Sequence, residues 1–166
     1  MTVYSNSFTV FSNKLKPMFH DVTEKVRQAV STSKVNQGIV SVYSQHTTCS
    51  IILQEESHDI VYDGTKFLFQ DLLEVLEKLI PTCGRERQYL HPGNQHIAHA
   101  VENLGEEAVW SLNTDAHLRS CIIGRSETIP VIDGQLQLGE FGLVYFADFD
   151  AVRQRERTIH VQVLGE

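Results

Sequence analysis

Apolar and polar positions alternate weakly near the start of the chain, strongly near its end, and recur at helical spacing in between. "VYSNSFTVF" predicts a first strand, after which the polar "SNKLKP" turns the chain. From Asp21, "DVTEKVRQAV" predicts a helix with Val22, Val26, Ala29 and Val30 as its buried stripe, Asp21 as cap and Glu24 reciprocating. Gly38 resets the chain before the strand-like "IVSVYS", and "SIILQ" is a β-branched run of strand character. In "KFLFQDLLEVLEKLI", Phe69, Leu72, Leu73, Leu76, Leu79 and Ile80 recur at three and four, while Asp71, Glu74, Glu77 and Lys78 face solvent and Pro81 forces an exit.

Residues 82–112 carry a weaker pattern, with a Pro92-Gly93 turn and a short helix whose Ile97, Ala100, Val101 and Leu104 point inward. "NTDAHLRSCIIG" predicts a helix capped by Asn113, ended by Gly124 and packed through Leu118, Cys121 and Ile122. "TIPVIDGQLQLG" predicts a hairpin turning at Asp133-Gly134, and "LVYFADF" and "TIHVQVLG" supply two further strands. Strands, helices and a closing meander predict a single α+β domain over residues 1–166, with antiparallel or mixed sheets and packed helices.

Composition narrows this picture. At 166 residues, 42% hydrophobic and 21% charged, the chain holds one core and has no room for a second. A formal charge of -7 argues against a surface that wraps nucleic acid, because such binding neutralises many phosphates. Neither a signal-peptide pattern nor a membrane-length apolar run occurs, so a cytoplasmic protein without membrane association is expected. Cys49, Cys83 and Cys121 form neither a paired disulfide framework nor a CxxC motif; Cys49 and Cys121 are expected to be buried, reduced thiols.

The junction "YSQHTTCS" interrupts two strands with a cluster of polar groups. A loop there can hold the His46 imidazole in a cleft, or Thr47 and Thr48 can satisfy a turn while His46 points to water. Asp115 and His117 lie at the start of a helix, where unpaired N–H groups favour an anion, either the Asp115 carboxylate or a ligand phosphate. Their i, i+2 spacing keeps them from facing one atom. His96 and His99 share a face if helical and, with His91 held by the turn, would suit zinc or a similar divalent metal; Ile97 and Ala98 exclude HExxH. In "RQRER", Arg153, Arg155 and Arg157 fall on one side of an extended chain, either to bind phosphate or carboxylate or to solvate a sheet edge.

"HTTCSIILQEE", "NTDAHLRSCIIGRSETIPVIDGQLQLGEFGLVYFADFD" and "RQRERTIHVQVLGE" together resemble the YjbQ family over nearly the whole chain. Its named members are secondary thiamine-phosphate synthases. The resemblance implies a compact α+β fold, a homotrimer, and a polar histidine-containing site near subunit contacts. It places His46 in the family's HTT motif, Glu55 at the glutamate after the next strand, and Asn113, Asp115 and His117 in its NADAH-like motif. Arg153 and Arg155 fall in its arginine-rich segment, and His91 matches a histidine before the NADAH-like motif.

That resemblance implies a transferase acting on small phosphorylated substrates. His46, Glu55, Asp115 and His117 would be catalytic, with Glu55 orienting an imidazole; His46, His91 and His117 would hold a divalent metal; Arg153 and Arg155 would hold phosphate. The alternatives are a trimeric protein that binds metal or a small anion without catalysis, and a metal-assisted hydrolase. Gln54, Gly142 and "DFDAVR" depart from the family's usual residues, and the 91–112 region is longer than its usual counterpart.

Overall fold

The computed structural model describes residues 1–13 and 15–166, so Lys14 of the expected turn lies outside the described residues. The alternating end of the chain forms β8 (Glu156–Gly165), whose Ile159, Val161 and Val163 are buried between outward-facing Thr158, His160 and Gln162. Along one edge β8 pairs antiparallel with β1 (Thr2–Phe11), and along the other with β3 (Gln37–Ser44). β5 (Ser126–Ile132) and β6 (Gln135–Leu136) complete a five-stranded sheet in the order β1-β8-β3-β5-β6. The expected hairpin joins β5 to β6, with Asp133 at φ 52° and Gly134 at φ 71°.

A second sheet has the order β2-β7-β4, formed by Met18–Asp21, Gly142–Asp148 and Cys49–Glu55. One face of β7 and β4, through Val144, Phe146, Cys49 and Ile51, packs against the larger sheet and against Val26, Ala29 and Val30 of α1 (Thr23–Ser33). The other face, through Tyr145, Ala147 and Ile52, is covered by Phe69 and Leu76 of α2 (Phe67–Leu79) and by Ala116 of α4 (Thr114–Ile123). β7 is therefore buried on both sides, which explains its unbroken apolar run "LVYFA". Among the described residues, no helix is long and apolar enough to cross a membrane.

Several expectations change for physical reasons. Asp21 ends β2, opposite Tyr145, and its carboxylate accepts the Thr23 N–H at 2.9 Å; Val22 occupies the N-cap position. Glu24 pairs with Arg27 at 2.7 Å and does not reach back to the cap. Gly38 sits inside β3, where a Cβ would fall 2.0 Å from the Leu164 carbonyl oxygen, so close strand approach is what requires it.

α4 is turned the opposite way from its apolar pattern. Leu118, Cys121 and Ile122 are exposed, while Asp115, Ala116, Arg119 and Ser120 are buried. Each of these buried polar side chains has at least one partner: Asp115 Oδ1 accepts the Cys83 N–H at 3.1 Å, Arg119 donates through Nη2 to Glu77 at 2.7 Å and to the Ile80 carbonyl at 2.8 Å while its Nε stays unpaired among the described residues, and Ser120 donates to the Cys49 carbonyl at 2.6 Å. Glu77 of α2 is therefore a structural anchor, whereas Leu79 is exposed. α3 (Asn94–Leu104) buries Ala100 alone, with Val101 at 44% and Leu104 at 61% exposure. A fully buried Val or Leu contributes about 1.5–3 kcal/mol, so α3 is held much less firmly than α1.

Candidate functional site

The turn between β3 and β4 closes when the Cys49 N–H donates to the His46 carbonyl at 3.2 Å, leaving Thr47 at its tip. Cys49 then returns to the core, and burial pushes its thiol far above the usual range. Thr48 stays buried beneath the turn and its hydroxyl accepts a hydrogen bond from Arg157 at 3.2 Å. This turn, the end of β7 and the residues entering β8 enclose a cleft of about 320 Å³ with Asn113 and His117 of the α4 start, Trp110 and Ser111 of the 3-10 turn Ala108–Ser111, and His96 of α3.

Arg157 forms the cleft's floor. Its Nε and Nη2 donate to the two Asp148 carboxylate oxygens at 2.6 and 3.1 Å, with the side chains 3% and 1% exposed. Asp150 lies 3.5 Å from Arg157, and the Asn113 amide donates to it at 3.4 Å. Burial raises the Asp150 carboxyl, opposed by the Val152 N–H and Arg157. Isolated charges at this depth would be strongly disfavoured, so Asp148 and Asp150, on either side of Phe149, and Arg157 form one interlocked unit.

Arg153 and Arg155 stand higher on the wall. Arg153 pairs with Glu106 at 2.5 Å and stacks over Trp110, its guanidinium carbon 4.7 Å from the ring centre. Arg155 is 3.7 Å from Asp150. The Nε groups of both, and the Ser111 hydroxyl, are shielded from solvent without a hydrogen-bond partner among the described residues. The side chains of Arg153 and Arg155 remain 15% and 31% exposed, so their guanidinium groups still offer the cleft donors suited to a ligand rich in acceptor oxygens.

His46 is half-buried, and its Nε2 accepts the Thr158 N–H at 2.8 Å. The neutral ring therefore carries its proton on Nδ1. Burial lowers its proton affinity first and nearby Arg157 lowers it further, while Asp148 opposes them. Bound in this way, His46 is a hydrogen-bond donor, and Nε2 cannot ligate a metal while the backbone bond persists. His117 faces the cleft, where burial again lowers its proton affinity, opposed by Asp150 and the Thr47 carbonyl.

His91 and His117 come together, with ring centres 5.7 Å apart, and His96 lies 4.5 Å from His91. The histidine grouping is thus 91, 96 and 117, with His46 separately engaged. His99 turns away to Asn103. Asp115 belongs to the other side of α4, where it holds Cys83 and Arg119; as expected, it does not share a face with His117. Glu55 is exposed at the far end of β4, about 20 Å from the strand's first residue at ordinary strand rise, and cannot orient an imidazole in this cleft.

Sequence reasoning reached His46, His117, Asn113, Arg153 and Arg155 but missed Asp148, Asp150 and Ser111. The period-two acids in "ADFDA" facing the period-two bases in "RQRER" are the signal that could have found the first two.

A model of the family described as UPF0047 protein YjbQ-like matches residues 7–166. A UPF0047 protein of Methanocaldococcus jannaschii is 30% identical over 159 residues, covering 96% of this chain and 93% of its own. Another, from Methanothermobacter thermautotrophicus, is 28% identical over 166 residues, covering 100% and 95%. The crystal structure of a hypothetical protein from Aeropyrum pernix K1 superposes with a TM-score of 0.70 at 31% identity, covering 98% of each chain.

Proposed function

Because this chain belongs to the YjbQ-like UPF0047 family, we propose that its cleft binds a small phosphorylated substrate and carries out a thiamine-phosphate synthase-like transfer. The observation that carries this reading is that Arg153 and Arg155, both partly exposed, line one wall of the cleft beside Ser111. In such a transfer, the ring nitrogen of a thiazole phosphate attacks the methylene carbon of hydroxymethylpyrimidine diphosphate. The carbon–oxygen bond breaks and its electron pair leaves with pyrophosphate. Arg153 and Arg155 stabilise the departing charge, and the Nδ1–H of neutral His46 donates to a substrate oxygen.

Asp148 and Asp150 hold Arg157 in the floor, where its charge is offset by theirs and it is not free to follow a ligand. The reading includes self-association as a homotrimer in the cytoplasm, for which the exposed Leu118 and Ile122 on α4 give apolar contact surface. Sedimentation of the purified chain tests the trimer. The transfer is tested by incubating the protein with both phosphorylated substrates and measuring thiamine phosphate by chromatography. Product above a protein-free blank, reduced in R155Q, is expected; no product from folded protein would contradict the transferase reading.

A further inference from the structure

A second cavity, of about 340 Å³, lies on the α2-covered face of the smaller sheet and shares no lining residue with the arginine cleft. A volume of that size admits a small molecule. Its apolar wall is Pro17, Met18 and Phe19, half-buried around the start of β2, with Phe69 of α2 stacked on Phe19 at 4.1 Å between ring centres. Lys16 straps this wall to the opposite loop. Its ammonium pairs with the Asp63 carboxylate at 2.7 Å and donates to the Thr65 hydroxyl at 2.6 Å and the Asp63 carbonyl at 3.1 Å, which uses all three of its protons.

Lys66, the residue before α2, is the cation left over. Its ammonium donates one proton to the Tyr145 hydroxyl at 3.0 Å, and its other two N–H groups meet no acceptor, nor any carboxylate at ion-pair distance, among the described residues. The Lys66 side chain is half-buried, so those protons stay within reach of a ligand. Tyr145 is 1% exposed and packs edge-on to Phe69 at 4.6 Å, so the group that holds Lys66 is itself locked in the core. The first turn of α2 carries no acidic side chain, which leaves the positive end of that helix uncancelled next to Lys66.

From this arrangement we propose that the second cavity binds a small amphipathic monocarboxylate, with its carboxylate on the Lys66 ammonium and its apolar part against Pro17, Met18 and Phe19. One free ammonium matches one carboxylate through a charge-assisted hydrogen bond. The other charged groups on the lining are the paired Lys16 and Asp63, and Asp21, whose carboxylate accepts the Thr23 N–H. A second carboxylate or a phosphate dianion would meet Asp21 and Asp63 with no further free cation among the described residues, so this cavity discriminates against the doubly charged molecules suited to the arginine cleft. The apolar wall supplies the burial term and Lys66 fixes the orientation. Nothing in this cavity depends on which molecule the arginine cleft takes.

The test is a titration of isotope-labelled full-length protein with phenylpropionate, followed by the amide chemical shifts. Saturable shifts centred on the residues lining this cavity are expected, with the neutral phenylpropanol bound at least about tenfold more weakly because it forgoes the charged hydrogen bond. K66M, which keeps the aliphatic stem and removes the charge, should weaken binding of the acid about 10–100-fold and leave the alcohol little changed. R155Q should bind the acid as the unaltered protein does, since Arg155 is not on this lining. The amide spectrum establishes that each variant is folded, and the comparison of acid with alcohol on the unaltered chain needs no variant should K66M fail to fold. The proposal is overturned if no saturable shift occurs, if acid and alcohol bind alike, if K66M binds the acid as tightly as the unaltered chain, or if R155Q abolishes binding and so moves the acid to the arginine cleft. No phosphorylated molecule is present, so failure here leaves that cleft's substrate reading standing.

Discussion

The floor of the cleft and its rim are held by different means. On the floor, Arg157 is clamped by Asp148 through two hydrogen bonds and flanked by Asp150 and Thr48, with the whole group within a few per cent of complete burial. On the rim, His96 and Glu106 come from a segment whose helix buries only Ala100, and the Arg153 and Arg155 side chains stay 15% and 31% exposed. A saturated ion network specifies one geometry and tolerates no missing member, whereas a lightly packed rim can adjust around a ligand. Stability should therefore reside in the floor and ligand response in the rim.

The sharpest way to break that contrast is D148A, which leaves a buried guanidinium without its main partner. A loss of about 3–5 kcal/mol is expected in urea unfolding, because removing one member of a buried pair strands the other. On the rim, R155Q should change stability little but weaken pyrophosphate binding about 10–100-fold, the worth of roughly 1.5–3 kcal/mol for a charged hydrogen bond. Calorimetric titration measures that loss.

Acidity acts on the histidines by a smaller amount. Burial lowers the proton affinity of His20, His46, His91 and His117 below the ordinary histidine value of 6.5. Below that value the unfolded chain takes up protons that the native imidazoles resist, so the unfolded state binds more protons and stability falls as pH falls. The loss stops growing once pH passes below the depressed native values. Thermal unfolding at about pH 7.5 and about pH 6 should show the lower midpoint at the lower pH. The smallest effect belongs to L104S on the exposed face of α3, expected to shift stability by less than about 0.5 kcal/mol in the same unfolding assay.

The sequence conveyed the floor and the rim unequally. Period-two strands such as β8, and the apolar spacing of α1 and much of α2, were legible because water-avoiding side chains dictate which face turns inward. α4 was misread because its buried face is polar: Arg119, Asp115 and Ser120 are satisfied by distant partners at Glu77, Cys83 and Cys49, which local periodicity does not convey. β2 escaped notice because four residues carry too little alternation to register. At the site, His46 and His117 stood out by their motifs, but local sequence did not show that Thr158 occupies His46 Nε2 or that Glu55 lies at the strand's far end.

The central claim is that the arginine wall of the cleft holds phosphate oxygens. It is tested most directly by the equilibrium dissociation constant of pyrophosphate, measured calorimetrically for the unaltered protein and for R153Q/R155Q. The account predicts saturable binding that weakens by more than about 100-fold in the double variant while the fold is kept. Equal pyrophosphate affinity in both proteins, or no binding to either, would contradict it.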